Sequence, residues 1–209
     1  MNDSPASDPV LYLASASPRR AELLEQIGIG FRRIAVDVPE VPRRNELAEV
    51  FVQRLALDKA RAGWETLAGD DPRPVLGADT AVVIDGEILG KPRNEAHART
   101  MLARLSGRSH RVLSAVALMN ATQKAVKISV SEVTFRAIAE REIAAYWATG
   151  EPADKAGGYA IQGMGAVFVE RLEGSYSGVM GLPLFETAEL LARFDISLWK
   201  GSAMVDTKG

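Results

Sequence analysis

Apolar residues along this chain recur at two spacings, and the alternation between them divides it into strands and helices. Val10–Leu13 is a short apolar run that predicts a buried strand. Ser17 and Pro18 then supply a helix start, with serine at the N-cap and proline in the first turn. Ala21, Leu23, Leu24 and Ile27 give that helix an apolar face, and Gly28 can end it. Phe31–Val36 reads as a second strand. A helical stretch follows from Glu46 to Leu67, with Leu47, Phe51 and Leu55 on one side and Arg54 and Asp58 as an i,i+4 pair. Val75–Leu76 and Ala81–Ile84 are strand-like, and Asp85-Gly86 predicts a hairpin into Glu87–Leu89.

Further along, Asn94 caps a helix whose apolar positions are Ala98, Met101, Leu102 and Leu105, and Gly107 ends it. Arg111–Met119 and Lys124–Phe135 are extended runs. In the second, Val126, Ile128 and Val130 alternate with Lys127, Ser129 and Ser131, which predicts a strand buried on its aliphatic face. Ala139–Thr149 is a helix stopped by Gly150. After a glycine-rich segment, Gly157–Gly165, a strand is expected over Ala166–Leu172 and a closing helix over Leu184–Phe194. Strands and helices are thus mixed, and two neighbouring pairs of strands look antiparallel. The expected fold is α/β with a mixed sheet.

Composition narrows the class. At 209 residues the chain fits one large domain, or two lobes sharing one core. The expected division is a flexible leader over 1–9, a folded domain over 10–196 and a weakly ordered tail over 197–209. A 47% hydrophobic and 25% charged content is that of a globular chain. The net charge of −2 argues against a general nucleic-acid binder. With no cysteine, disulfides, thiolate nucleophiles and zinc–sulfur sites are excluded. Met1–Pro9 lacks the pattern of a signal peptide, and no apolar segment approaches the roughly 20 residues that span a bilayer. A cytoplasmic location without membrane contact is expected.

The turn Ser15-Ala16-Ser17-Pro18-Arg19-Arg20 breaks a local rule, because cations in a first helical turn oppose the macrodipole. An anion would resolve the conflict. A helix N-terminus offers free N–H groups to phosphate, and guanidinium groups bind phosphate oxygens in pairs. Spacing alone also leaves open a solvated helix start with incidental arginines. Asp79, in Gly77-Ala78-Asp79-Thr80, lies between apolar strand segments, where a carboxylate is costly unless paired or bound to metal. It reads either as a metal ligand or base for water, or as a turn-capping Asp. Lys59 and Lys91 read as surface lysines when taken singly. Asp154–Gly163 is glycine-rich and contains Lys155 and Gln162; it serves either close backbone approach to a ligand or plain turns. His97 and His110 are not spaced as a metal pair. There is no Walker loop and no G-x-S-x-G elbow.

Together, Leu13-Ala14-Ser15-Ala16-Ser17-Pro18-Arg19-Arg20, Gly77-Ala78-Asp79-Thr80, Gly90-Lys91-Pro92 and Asp154-Lys155-Ala156-Gly157 resemble, in order and spacing, the motifs of the Maf family, from about Val10 to Phe194. The resemblance implies a nucleoside triphosphate pyrophosphatase with an elongated mixed sheet, flanking helices and a central cleft, like the inosine triphosphate pyrophosphatases. It further implies that Ser15, Ser17, Arg19, Arg20, Lys59 and Lys91 hold phosphates. Asp79 would activate water, and Glu40 and Asp79 would bind a divalent cation, Mg²⁺ or Mn²⁺. Water would attack the α-phosphorus, releasing monophosphate and pyrophosphate.

Asp154–Gly163 is similar to the branch that hydrolyses dTTP and UTP, with modified pyrimidine nucleotides as further candidates. Arg19, Thr80 and Gln162 would then select the base, and Lys155 is a further candidate residue of the site. The alternatives are the 7-methyl-GTP branch and a nucleotide-binding regulator of septum formation. The resemblance is also compatible with a homodimer.

Overall fold

A computed structural model describes residues 9–67 and 71–199. Of the expected leader and tail, 1–8 and 200–209 lie outside the described residues.

Strand β1 (Leu11–Leu13) leads into helix α1 (Pro18–Gln26), and β2 (Phe31–Arg33) returns parallel to β1, with Leu11 opposite Phe31. Helix α2 (Ala48–Glu65) crosses to β3 (Val75–Ile84), which turns at Asp85-Gly86 into β4 (Glu87–Leu89). Asp85 and Gly86 both have positive φ, 54° and 78°, as the predicted hairpin requires. Helix α3 (Glu95–Leu105) is capped by Asn94 Oδ1, which accepts from His97 N. Then come β5 (Ser109–Met119), β6 (Lys124–Phe135), α4 (Glu140–Ala148), β7 (Val169–Glu173), α5 (Tyr176–Met180) and α6 (Leu184–Arg193).

The seven strands form one mixed sheet in the order β2-β1-β3-β5-β6-β7, with β4 also on β3. The β1 pairings are parallel and the others antiparallel, so the sheet is mixed, as expected. One face of the sheet packs on α2, where Phe51, Val52, Leu55 and Ala56 meet Ala81, Val83, Leu113 and Ala115. The other face carries two separate clusters. Leu23 and Leu24 of α1 join Leu190 and Leu191 of α6 over Leu76 and Val116. Leu102 and Leu105 of α3 join Ile143 and Tyr146 of α4 over Val82, Val112 and Phe135. Among the described residues no helix is long and apolar enough to cross a membrane.

Five expectations need correction. First, β2 stops at Arg33. Second, the two short strand segments around Gly77–Thr80 are one continuous strand, β3, because β5 pairs along it from Val75 to Val83. Third, Leu47 precedes α2 and is 68% exposed, outside its apolar face. Fourth, Ser129 and Ser131 of β6 are buried while Val130 is exposed. Val126 and Ile128 pack against the α2 cluster, whereas Ser131 Oγ accepts from Ser175 N at 2.9 Å and so holds the entry to α5. Tertiary contacts on the opposite face thus override the alternation. Finally, β7 begins only at Val169, after a 3₁₀ turn over Met164–Phe168.

Candidate active site

Strand β3 has a stretch of open edge. On that side it pairs with β1 only at Val75 and Leu76, and with β4 only from Val82 onward. The last link to β1 is Ala14 N donating to Leu76 O at 2.8 Å. Between these pairings the edge opens into a cleft of about 340 Å³. Consecutive strand residues point to opposite faces, yet Asp79 and Thr80 both reach this cleft because it opens along the strand edge.

Beyond Leu13 the chain turns into α1, and Ser15–Arg20 line the cleft. Ser17 is the N-cap residue, but its side chain makes no capping bond. Instead, Ser15 Oγ accepts from Ser17 N and from Arg20 Nη1, both at 3.2 Å. Arg20 Nε also donates to Gly181 O at 2.9 Å. The two arginines are therefore held differently. Arg20 is fixed by two internal acceptors, and burial pulls its pKa below the usual guanidinium range, although Asp79 and Glu40 oppose the shift. Arg19 is 3.9 Å from Asp154, a carboxylate that is largely exposed.

Asp79 owes its partner to Gly77. A Cβ on Gly77 would lie 2.2 Å from Ala56 O and 2.5 Å from Ala60 N, so only glycine lets α2 rest directly on β3. That contact brings Lys59 Nζ within 2.7 Å of Asp79 Oδ1 and 2.5 Å of Glu40 Oε1. Asp79 is 6% exposed and Lys59 is 8% exposed. Burial pushes the Asp79 carboxyl above its ordinary range, against the pull of Lys59 and Arg20. Burial acts the same way on Glu40, but there the Lys59 hydrogen bond and charge, with Lys91 and Arg20, prevail and hold the carboxyl below the usual range.

Lys91 stands at the rim, 3.6 Å from Glu40. The glycine-rich segment closes the far wall. Gly157, at φ 69°, donates its N–H to Gly90 O at 3.1 Å, and a Cβ there would meet the Val82 side chain at 3.0 Å. Lys155, ion-paired with Asp154, and the exposed Gln162 are thereby carried to the cleft.

All the residues proposed from sequence line this one cleft: Ser15, Ser17, Arg19, Arg20, Glu40, Lys59, Asp79, Thr80, Lys91, Lys155 and Gln162. Sequence reasoning missed Asp154 as a partner of Arg19, and it missed Val179 and Met180 of α5, with Gly181 just after them, altogether. The only signal for the latter was Ser175 three residues before Gly178, whose N–H it caps. The ammonium of Lys59, expected to hold phosphate, donates to two carboxylates here.

Five cations and three carboxylates face the cleft, an excess of positive charge on a chain whose net charge is −2. Such a lining attracts a polyanion. Among the described residues no three His, Cys, Asp or Glu side chains group as a metal cage. Glu40 and Asp79 are the two carboxylates that could together contribute oxygen ligands to a hard cation.

Residues 10–194 match the family model described as Maf-like protein. The chain is 58% identical over 195 residues to the dTTP/UTP pyrophosphatase of Alkalilimnicola ehrlichii, covering 92% of this chain and 96% of that one. It is 53% identical over 195 residues to the dTTP/UTP pyrophosphatase of Saccharophagus degradans, covering 92% of each. Among solved structures, the Staphylococcus aureus Ham1 protein aligns with 60% of this chain and 71% of its own, at 14% identity and a TM-score of 0.44.

Proposed function

The chain belongs to the Maf-like protein family, and from that premise we propose that it hydrolyses dTTP and UTP to the monophosphate and pyrophosphate. The observation that carries this reading is a single buried carboxylate, Asp79, set among the cations of the cleft. A site that only held a triphosphate would have no use for an acid beside its phosphate ligands.

The triphosphate lies against the N-terminus of α1, where first-turn N–H groups and the Ser15 and Ser17 hydroxyls donate to its oxygens. Arg19, Arg20, Lys91 and Lys155 balance its charge. Asp79 accepts a proton from water, which attacks the α-phosphorus; the bond to the bridging oxygen breaks, and pyrophosphate leaves with that oxygen. Its raised pKa makes Asp79 a stronger base than an exposed carboxylate. Lys59 keeps it ionised and aimed. Glu40 and Asp79 are the residues that would hold Mg²⁺ or Mn²⁺, which supplies charge neutralisation on the phosphates when bound. Thr80, Gln162 and Arg19 select the base.

The test is pyrophosphate release by the full chain, with Mg²⁺ or Mn²⁺, from dTTP, UTP, 7-methyl-GTP and inosine triphosphate. dTTP and UTP should be the best substrates; equal or better turnover of 7-methyl-GTP would overturn the pyrimidine assignment. Asp79→Asn should still bind nucleotide but lose activity by on the order of 10²–10⁴-fold. Retained turnover would remove Asp79 from its role.

A further inference from the structure

Ser114 is a serine in the middle of the sheet, 1% exposed and directly opposite Thr80 across the β3–β5 ladder. Its hydroxyl donates to Gly178 O of α5 at 2.5 Å, and its Oγ lies 2.9 Å from Thr80 Oγ1. A serine hydroxyl carries one proton. With that proton on Gly178 O, the Thr80–Ser114 bond must use the proton of Thr80. The other acceptor near Thr80, Gly181 O, is 3.5 Å away and already accepts from Arg20 Nε. Thr80 therefore faces the cleft with lone pairs only.

Resting on the functional reading above, we propose that Ser114 is a positioning residue for base selection: it fixes Thr80 as an obligate acceptor for the imide N3–H of uracil or thymine. N3–H is the one ring donor on these bases. Cytosine has a lone pair at N3, so it would set acceptor against acceptor in a buried contact. A buried polar group left unpaired in this way is what gives a site its discrimination. Thr80 alone would not discriminate, because a freely rotating hydroxyl can donate to N3 of cytosine as readily as it accepts from N3 of uracil.

The experiment measures kcat/KM for UTP and CTP in the wild-type chain, Ser114→Ala and Ser114→Thr. The wild type should prefer UTP. In Ser114→Ala the UTP-to-CTP ratio should fall about tenfold, the size of one hydrogen bond, through a gain on CTP. Ser114→Thr retains a hydroxyl and should restore the ratio. If Ser114→Ala is not folded, Ser114→Cys, a weaker hydrogen bonder of similar size, should relax the ratio in the same direction. An equal loss on both nucleotides, with the ratio unchanged, would reduce Ser114 to a structural anchor of α5 and overturn the proposal. So would a wild-type ratio near one. A wild-type chain that releases no pyrophosphate from UTP would sink the functional reading as well, so the two failures are distinct.

Discussion

Removing Lys59 tests the electrostatic design of the cleft most directly. Lys59→Met keeps the length and apolar stem of the side chain but leaves Asp79 buried at 6% exposure without its ammonium. Glu40, whose side chain is 44% exposed, can be rehydrated, so the cost falls on Asp79. Breaking a buried ion pair from one side costs about 3–5 kcal/mol. Arg20 remains nearby as an opposing charge, which places the expected loss near the lower figure, about 3 kcal/mol. For a chain of this size that corresponds to a fall in Tm of roughly 6–12 °C.

The pH dependence carries the sign. Burial already raises the Asp79 pKa, and loss of Lys59 raises it further. A carboxyl whose folded pKa lies above its unfolded value is best tolerated when protonated, so the penalty appears as pH rises through the folded pKa and shrinks below it. Thermal unfolding of both chains near pH 8 and about pH 5 should show a gap that narrows at the lower pH. A gap of the same size at both, or one under about 1 kcal/mol near pH 8, would mean that Asp79 is not held as a buried anion by Lys59.

Two further predictions concern how the cleft is built. Gly77→Ala places a methyl where Ala56 O and Ala60 N already stand, so α2 must lift from β3. Stability should fall by about 3 kcal/mol in denaturant titrations, with pyrophosphate release lost beyond what unfolding explains; a variant with wild-type stability and turnover would refute the close approach. His110, 3% exposed and bonded through Nε2 to Tyr159 OH at 2.8 Å, has its pKa lowered by burial from 6.5 to about 4. The unfolded chain takes up that proton first, so stability should decline by up to ~3 kcal/mol as pH falls from about 6.5 to about 4. His110→Leu should be less stable near neutrality yet flatter across that window, and an unchanged slope in the variant would assign the acid sensitivity elsewhere.

What could be read from sequence was set by neighbours along the chain. The Asp85-Gly86 hairpin and the Asn94 cap depend on a few adjacent residues, and the structure reproduces both. Cations in the first turn of α1 marked that turn as anomalous for the same local reason. Legibility ended where contacts are tertiary. Nothing near Gly77 announces that α2 will rest on it, although Lys59 owes its place to that contact. Ser129 and Ser131 are polar residues in a strand and read as solvent-facing, yet Ser131 is buried because it receives Ser175 N. Helix α5 spans five residues, too short for a periodic signal. Gly181, just beyond its end, nonetheless holds Arg20.

The arrangement reconciles two demands that conflict in a simpler site. Gripping a polyanion requires concentrated positive charge, but a carboxylate beside that charge becomes a weak base, because each cation stabilises its ionised form. Here the opposing effect is burial. Asp79 sits deep on β3, where loss of water raises its pKa more than Lys59 and Arg20 lower it. Glu40 meets the same lysine at the exposed rim, and there the cations win. Two carboxylates sharing one ammonium are thus driven apart in basicity by their depth, with Lys91 adding to the pull on Glu40. The deeper acid is suited to take a proton from water, and the shallower one stays charged and available to a cation. The close approach at Gly77 is what sets that depth, which ties the basicity of Asp79 to the packing of α2 on β3.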